Sequence, residues 1–172
     1  QTPCVRPGTA AASATIFVSS ATDLVENDNN GLSINDQGQD VFVRDMQLEK
    51  TTLVSVDSTG ITSANGNSGG LAMTPDGRFV AFLSNATNLV AITDSNNLQD
   101  VFVRDLVAGT TTLISVNRNG AAGGGWNTAD SPIFYANMRP RISSDGRYVS
   151  FVSRAGDLTQ ITDTNNPYNP SF

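Results

Sequence analysis

Pro75-Asp76-Gly77-Arg78-Phe79-Val80-Ala81-Phe82-Leu83-Ser84 decides the fold of this 172-residue chain. It returns 69 residues later as Ser144-Asp145-Gly146-Arg147-Tyr148-Val149-Ser150-Phe151-Val152-Ser153. Working outward, other segments recur in the same order. Val41-Phe42-Val43-Arg44-Asp45 recurs as Val101-Phe102-Val103-Arg104-Asp105, and Thr51-Thr52-Leu53-Val54-Ser55-Val56 as Thr111-Thr112-Leu113-Ile114-Ser115-Val116, both 60 residues on. Ser19-Ser20-Ala21-Thr22-Asp23-Leu24-Val25 recurs 65 residues on as Ser84-Asn85-Ala86-Thr87-Asn88-Leu89-Val90. The shifts differ because the connecting loops differ in length. Several segments recurring in one order mark a repeat architecture, in which each unit buries its face against a neighbour.

Each unit reads as four antiparallel strands. The first is expected near 71–74 or 141–143, running into the Asp-Gly turn. In Thr74-Pro75-Asp76-Gly77 the proline presets φ at the second position of a type I turn, and the glycine supplies the positive φ of the bulge that follows. The second strand is expected over 78–84 or 147–153, and the third over 100–105 or 40–45. After a turn through Ala108-Gly109, the fourth is expected over 111–116. Val-Phe-Val and Phe-Val-Ala-Phe are apolar on both faces, as strands are when sheets stack on either side of them. Composition agrees. Lys50 is the only lysine, and Glu26 and Glu49 are the only glutamates, so strong helix formers are scarce. Asn, Asp, Ser, Thr and Gly take their place, each able to build a turn.

Four-stranded antiparallel units that need a neighbour on both faces indicate an all-β chain of β-propeller blades. The turn and strand Pro-Asp-Gly-Arg-Phe-Val-Ala-Phe, followed by Asp-Val-Phe-Val-Arg-Asp and Thr-Thr-Leu-Ile-Ser, resemble the blade repeat of TolB-like propellers, bacterial relatives of WD-repeat proteins. The resemblance spans roughly 15–172. The third copy has Ser144 in place of the turn proline, and the first copy lacks the turn.

The chain accordingly divides into a partial first blade (1–56), a full blade with its leading loop (57–116), an insertion loop (117–138) and a partial third blade (139–172). That is about two and a half blades, whereas closed propellers have four to eight. The expectation is an incomplete propeller. The chain would be a piece of a longer protein, as its first residue Gln1 also suggests, or several copies would join through exposed blade edges.

Composition also removes mechanisms. The chain has no histidine and one cysteine, Cys4. A Ser-His-Asp triad, a Cys-His pair, an H-E-x-x-H zinc site and an internal disulfide are therefore excluded. With 16 acidic and 10 basic residues the net charge is -6, the wrong sign for nucleic acid or an anionic membrane as main partner. No apolar run approaches the length of a spanning helix. No unique acid stands out for glycoside hydrolysis, and the Ser-x-Asp-x-Gly-x-Thr-Trp box of sialidases is absent.

Two candidate sites remain. Thr93-Asp94-Ser95-Asn96-Asn97-Leu98-Gln99-Asp100 joins the second and third strands, and its start recurs at Thr162-Asp163-Thr164-Asn165-Asn166. Oxygen side chains at alternate positions suit calcium, with Asp94, Asn96 and Asp100 as ligands. Asx turns that cap the loop would select the same residues. The unrepeated stretch 117–138 carries a glycine run, Trp126, Phe134 and Tyr135, either as a contact surface or as rings packed over the blade. Arg44-Asp45 and Arg104-Asp105 recur with the blades and are expected to be structural, the arginines pairing with aspartates of the loops or Asp-Gly turns. The expected function is a non-catalytic protein-interaction or structural module. The resemblance implies a secreted, periplasmic or cell-surface setting. The rivals are a calcium-dependent adhesive segment and a propeller accessory to a hydrolase domain outside this chain.

Overall fold

The computed structural model of the chain describes residues 14–28, 38–92, 98–120, 122–123, 139–153 and 155–161. They form nine strands and no helix: β1 (Ala14–Ser19), β2 (Asp40–Asp45), β3 (Lys50–Leu53), β4 (Ser68–Met73), β5 (Phe79–Ser84), β6 (Asp100–Asp105), β7 (Thr110–Leu113), β8 (Arg141–Ile142) and β9 (Val149–Ser150). All pairings are antiparallel between sequential neighbours. The sheets are β1-β2-β3, β4-β5-β6-β7 and β8-β9.

The repeat holds at the level of register. Ser19 faces Asp40 and Ala14 faces Asp45, as Ser84 faces Asp100 and Phe79 faces Asp105. Phe42 faces Leu53 as Phe102 faces Leu113. Arg141 faces Ser150 and Ile142 faces Val149, as Ala72 faces Ala81 and Met73 faces Val80. Side chains alternate across a strand, so equal register puts equivalent residues on equivalent faces.

The largest departures from the sequence expectation are in three strands. β4 starts at Ser68, ahead of the expected 71, with a bulge between Gly69 and Ala72. Gly70 adopts φ +63 there, and a Cβ on it would lie 2.7 Å from Leu83 Cδ1. Only glycine fits both restrictions. β7 ends at Leu113 rather than 116, because the ladder gives way to a side chain: Val101 N donates to Ser115 Oγ at 2.9 Å. β9 covers two residues where β5 covers six. β5 pairs on both edges, whereas β9 pairs only with β8 among the described residues.

The turns are held by repeated side-chain bonds. Thr74 Oγ1 donates to Asp76 Oδ1 at 2.5 Å and accepts from Phe79 N, while Arg78 N donates to Asp76 Oδ1. Ser143, Asp145, Arg147 and Tyr148 repeat all three bonds, so loss of the proline at Ser144 leaves the turn intact. Gly77 and Gly146 sit at φ +73 and +72, as the type I turn with its bulge requires. In the β6–β7 hairpin Gly109 fills the corresponding position at φ +67, but in the β2–β3 hairpin Glu49 must adopt φ +52. A left-handed conformation costs a side-chain-bearing residue roughly 1–2 kcal/mol, offset in part by the greater unfolded-state freedom of glycine. Glu49→Gly is therefore expected to stabilise the protein by about 0.5–1 kcal/mol, measured by urea denaturation; a loss of stability would contradict this reading.

The main core lies between the first two sheets. Val41, Val43 and Val54 from the first sheet and its trailing segment cluster with Val80, Phe82, Phe102 and Leu113 of the second. Phe42 points the other way and clusters with Leu53, Val56, Phe17 and Val25. The apolar strand centres are covered as expected: Val80, Ala81 and Phe82 are fully buried. On its far side the second sheet meets the third, with β4 and β5 against β8. Gly146 packs so closely on Phe79 that an added Cβ would lie 2.4 Å from the ring. Backbone bonds tie each hairpin to the following unit: Ser58 N donates to Asn88 O, and Arg118 N to Asp157 O, both at 2.7 Å.

Candidate functional site

Asp100 opens β6 and is buried at 3% exposure. Its Oδ1 accepts the Ser115 hydroxyl at 2.5 Å, while Ser115 Oγ accepts Val101 N. Asp40, Ser55 and Val41 repeat the arrangement. The carboxyl thus ties the start of the third strand to the segment after the fourth. Buried polar groups need such partners, and here each satisfies another. Asp94 and Asn96, the other two candidate calcium ligands, lie outside the described residues. Among the described residues no cluster of three or more acidic, His or Cys side chains is placed to hold a metal.

Trp126, Phe134 and Tyr135, the candidate contact surface, also lie outside the described residues. The repeated arginines are described, and their hydrogen-bond partners among the described residues are threonines. Arg104 Nη1 donates to Thr111 Oγ1 at 3.1 Å and Arg44 Nη1 to Thr51 Oγ1 at 3.3 Å, each across its own sheet. Among the described residues neither makes an ion pair with an aspartate. Burial pulls the Arg104 guanidinium below its ordinary value, and its Nε is buried without a hydrogen-bond partner among the described residues. The carboxylates next to these arginines turn to the hairpins instead. Asp45 Oδ1 accepts the amides of Gln47 and Leu48, and Asp105 Oδ1 those of Val107 and Ala108.

Asp105 does form an ion pair, but with Arg78, the residue after the Asp-Gly turn. Arg78 Nη2 lies 2.7 Å from Asp105 Oδ2, and Arg78 Nε donates to both carboxylate oxygens. That bidentate bond, with the two hairpin amides, brings the Asp105 carboxyl down to about 2. Asp76 and Asp145 are also lowered, mainly by the hydroxyls of Thr74 and Ser143. A depressed folded-state pKa stabilises the fold above the unfolded-state value and loses that contribution as pH falls through the folded value. The Asp105 contribution is thus complete above about pH 4 and fades toward pH 2. The difference in Tm between wild type and Asp105→Asn is expected to shrink steadily from pH 5 to pH 2; a constant difference would contradict the assignment.

A different surface emerges at the third sheet. Tyr148 is 65% exposed and Val152 64%. Their counterparts in the second sheet are Phe79, which packs on Gly146, and Leu83, at 5% exposure. Arg147, the counterpart of Arg78, lies over the Tyr148 ring at 5.3 Å, as Arg78 lies over Phe79 at 4.6 Å. The surface combines an apolar face, an arginine and a strand edge. The sequence carried its signal, since the shift of 69 already aligned Tyr148 with Phe79 and Val152 with Leu83. Comparison with protein-family models and with curated proteins finds no match to this chain.

Proposed function

We propose that this chain is a non-catalytic protein-interaction or structural module, built from blades of the TolB-like β-propeller type. The observation that carries the reading is the exposed face formed by Tyr148 and Val152, whose counterparts in the second sheet are Phe79, packed by the next unit, and the buried Leu83. Exposed apolar surface of this kind marks a contact site. The described polar clusters support the same reading, because their hydroxyls and carboxyls hold turns, hairpins and strand ends. The TolB-like repeat favours a secreted, periplasmic or cell-surface setting.

Sedimentation velocity on the full chain over roughly 1–100 µM, a range that brackets weak association, tests the reading. The weight-average mass is expected to rise with concentration for wild type and to stay at the monomer for Val152→Asp. The Asp is placed on an already exposed position, so the variant should retain the wild-type circular dichroism spectrum. A wild-type chain that stays monomeric throughout would overturn self-association through this face.

A further inference from the structure

We propose that Asn119 is a site of spontaneous conversion to isoaspartate, and that this conversion loosens the joint between the second and third sheets. The inference is independent of the interaction reading above. Asn-Gly pairs are chemical weak points of a chain, because glycine has no side chain to shield its own amide nitrogen. Among the described residues there are two, Asn65-Gly66 and Asn119-Gly120, and their surroundings separate them.

Asn65 is locked at both ends of its carboxamide. Its Nδ2 donates to Thr87 Oγ1 at 2.9 Å, and its Oδ1 accepts from Thr87 N at 2.8 Å. Gly66 is wedged so tightly that an added Cβ would lie 2.6 Å from Asn85 Oδ1 and 2.8 Å from the Ala86 backbone. Neither group can turn toward the other. Asn119 and Gly120 are both exposed. Gly120 adopts φ +68, and an added Cβ there would meet nothing within 4 Å. Gly120 N donates to Asn117 O at 2.8 Å, a bond that closes one exposed turn and opens at little cost. Once it opens, Gly120 N attacks Asn119 Cγ. A C–N bond forms, the Cγ–Nδ2 bond breaks, and Nδ2 leaves as ammonia with the Gly120 amide proton. Water then opens the cyclic imide at either carbonyl, giving aspartate or isoaspartate.

The position gives the change a consequence. Arg118 N donates to Asp157 O at 2.7 Å, and Gln160 Nε2 donates to Arg118 O at 3.4 Å, so residue 118 holds the third unit. Isoaspartate at 119 lengthens the main chain by a methylene and adds a negative charge beside that joint. At the first joint Ser58 N donates to Asn88 O in the same way, and Gly60 N donates to Asp57 O as Gly120 N does to Asn117 O. There Thr59 takes the place of Asn119 and cannot form the imide.

The test incubates the full chain in mildly alkaline buffer at physiological temperature and maps its peptides by mass spectrometry. A mass gain of about 1 Da with a separately eluting isoaspartyl form is expected at Asn119, at least about tenfold faster than at Asn65. Asn119→Thr, which installs the residue of the first joint, should keep the fold and lose the gain. After conversion, amides in 141–150 should exchange deuterium at least about threefold faster than in fresh protein, in wild type and not in Asn119→Thr. Three results would each overturn the proposal: equal conversion at Asn65 and Asn119, no conversion at Asn119 while a synthetic peptide of residues 116–122 converts, or unchanged exchange in 141–150 once Asn119 has converted.

Discussion

Phe102→Ala is expected to lower stability by about 3–5 kcal/mol, the largest effect of any single truncation considered. Phe102 lies at the centre of β6 with 1% exposure. Its ring stacks on Phe82 at 5.8 Å and an interplanar angle of 27°. The same cluster contains Val41 and Val43 from the first sheet, so the ring joins two sheets as well as two strands. Removing it loses both the transfer of the ring from water and the contacts of the walls around the space it leaves. Small domains hold only about 5–15 kcal/mol in total, so the variant should be close to unfolding at physiological temperature. Phe102→Leu keeps most of the volume and should cost about 1.5 kcal/mol or less. Urea denaturation monitored by fluorescence and circular dichroism checks both. A loss below about 1 kcal/mol for the alanine variant would mean that the two sheets do not share this core.

Ser115→Ala should cost about 2–4 kcal/mol although it removes a single oxygen. The hydroxyl is a donor to Asp100 and an acceptor from Val101 N at once. Without it the buried amide of Val101 is left unmet and the buried Asp100 carboxyl loses one of its bonds, and an unmet buried polar group costs more than a bond contributes. Ser55→Ala removes the same bracket from the first sheet and should have a matching effect. Asp100→Asn keeps an oxygen for the Ser115 hydroxyl and should cost less than Asp100→Ala. These brackets also give Asp100 a structural role that its loop spacing alone did not reveal. If Ser115→Ala were neutral, the bracket would not be the reason the fourth strand stops at Leu113.

Strand positions and their order were legible because the repeat displays each segment more than once. Two copies of Val-Phe-Val-Arg-Asp and of the Asp-Gly turn align without reference to structure, and alternation along each strand then assigns the faces. The ends were less legible. Gly69 and Gly70 carry no hydrophobic signal, yet they open β4 because a bulge and a close approach to Leu83 need them. Ser115 sits in a run of strand-forming residues, and only its register against Val101 shows that its side chain replaces a ladder bond. The arginines were harder still. Arg78 immediately precedes β5 and Arg104 lies on β6; Asp105 is next to Arg104 in sequence, but the pairing of β5 with β6 places it against Arg78. Sequence adjacency puts side chains on opposite faces of a strand, so only the register across the sheet brings Asp105 to Arg78.

Deuterium uptake in dilute solution tests the central claim most directly, that among the described residues the third sheet repeats the second but leaves one face and one edge open. Amides in 148–153 should exchange at least about a hundredfold faster than those in 79–84, which are paired on both sides of β5. At high concentration the difference should narrow as copies associate, and Val152→Asp should prevent the narrowing. Equal protection of 148–153 and 79–84 at the lowest concentration would contradict the account.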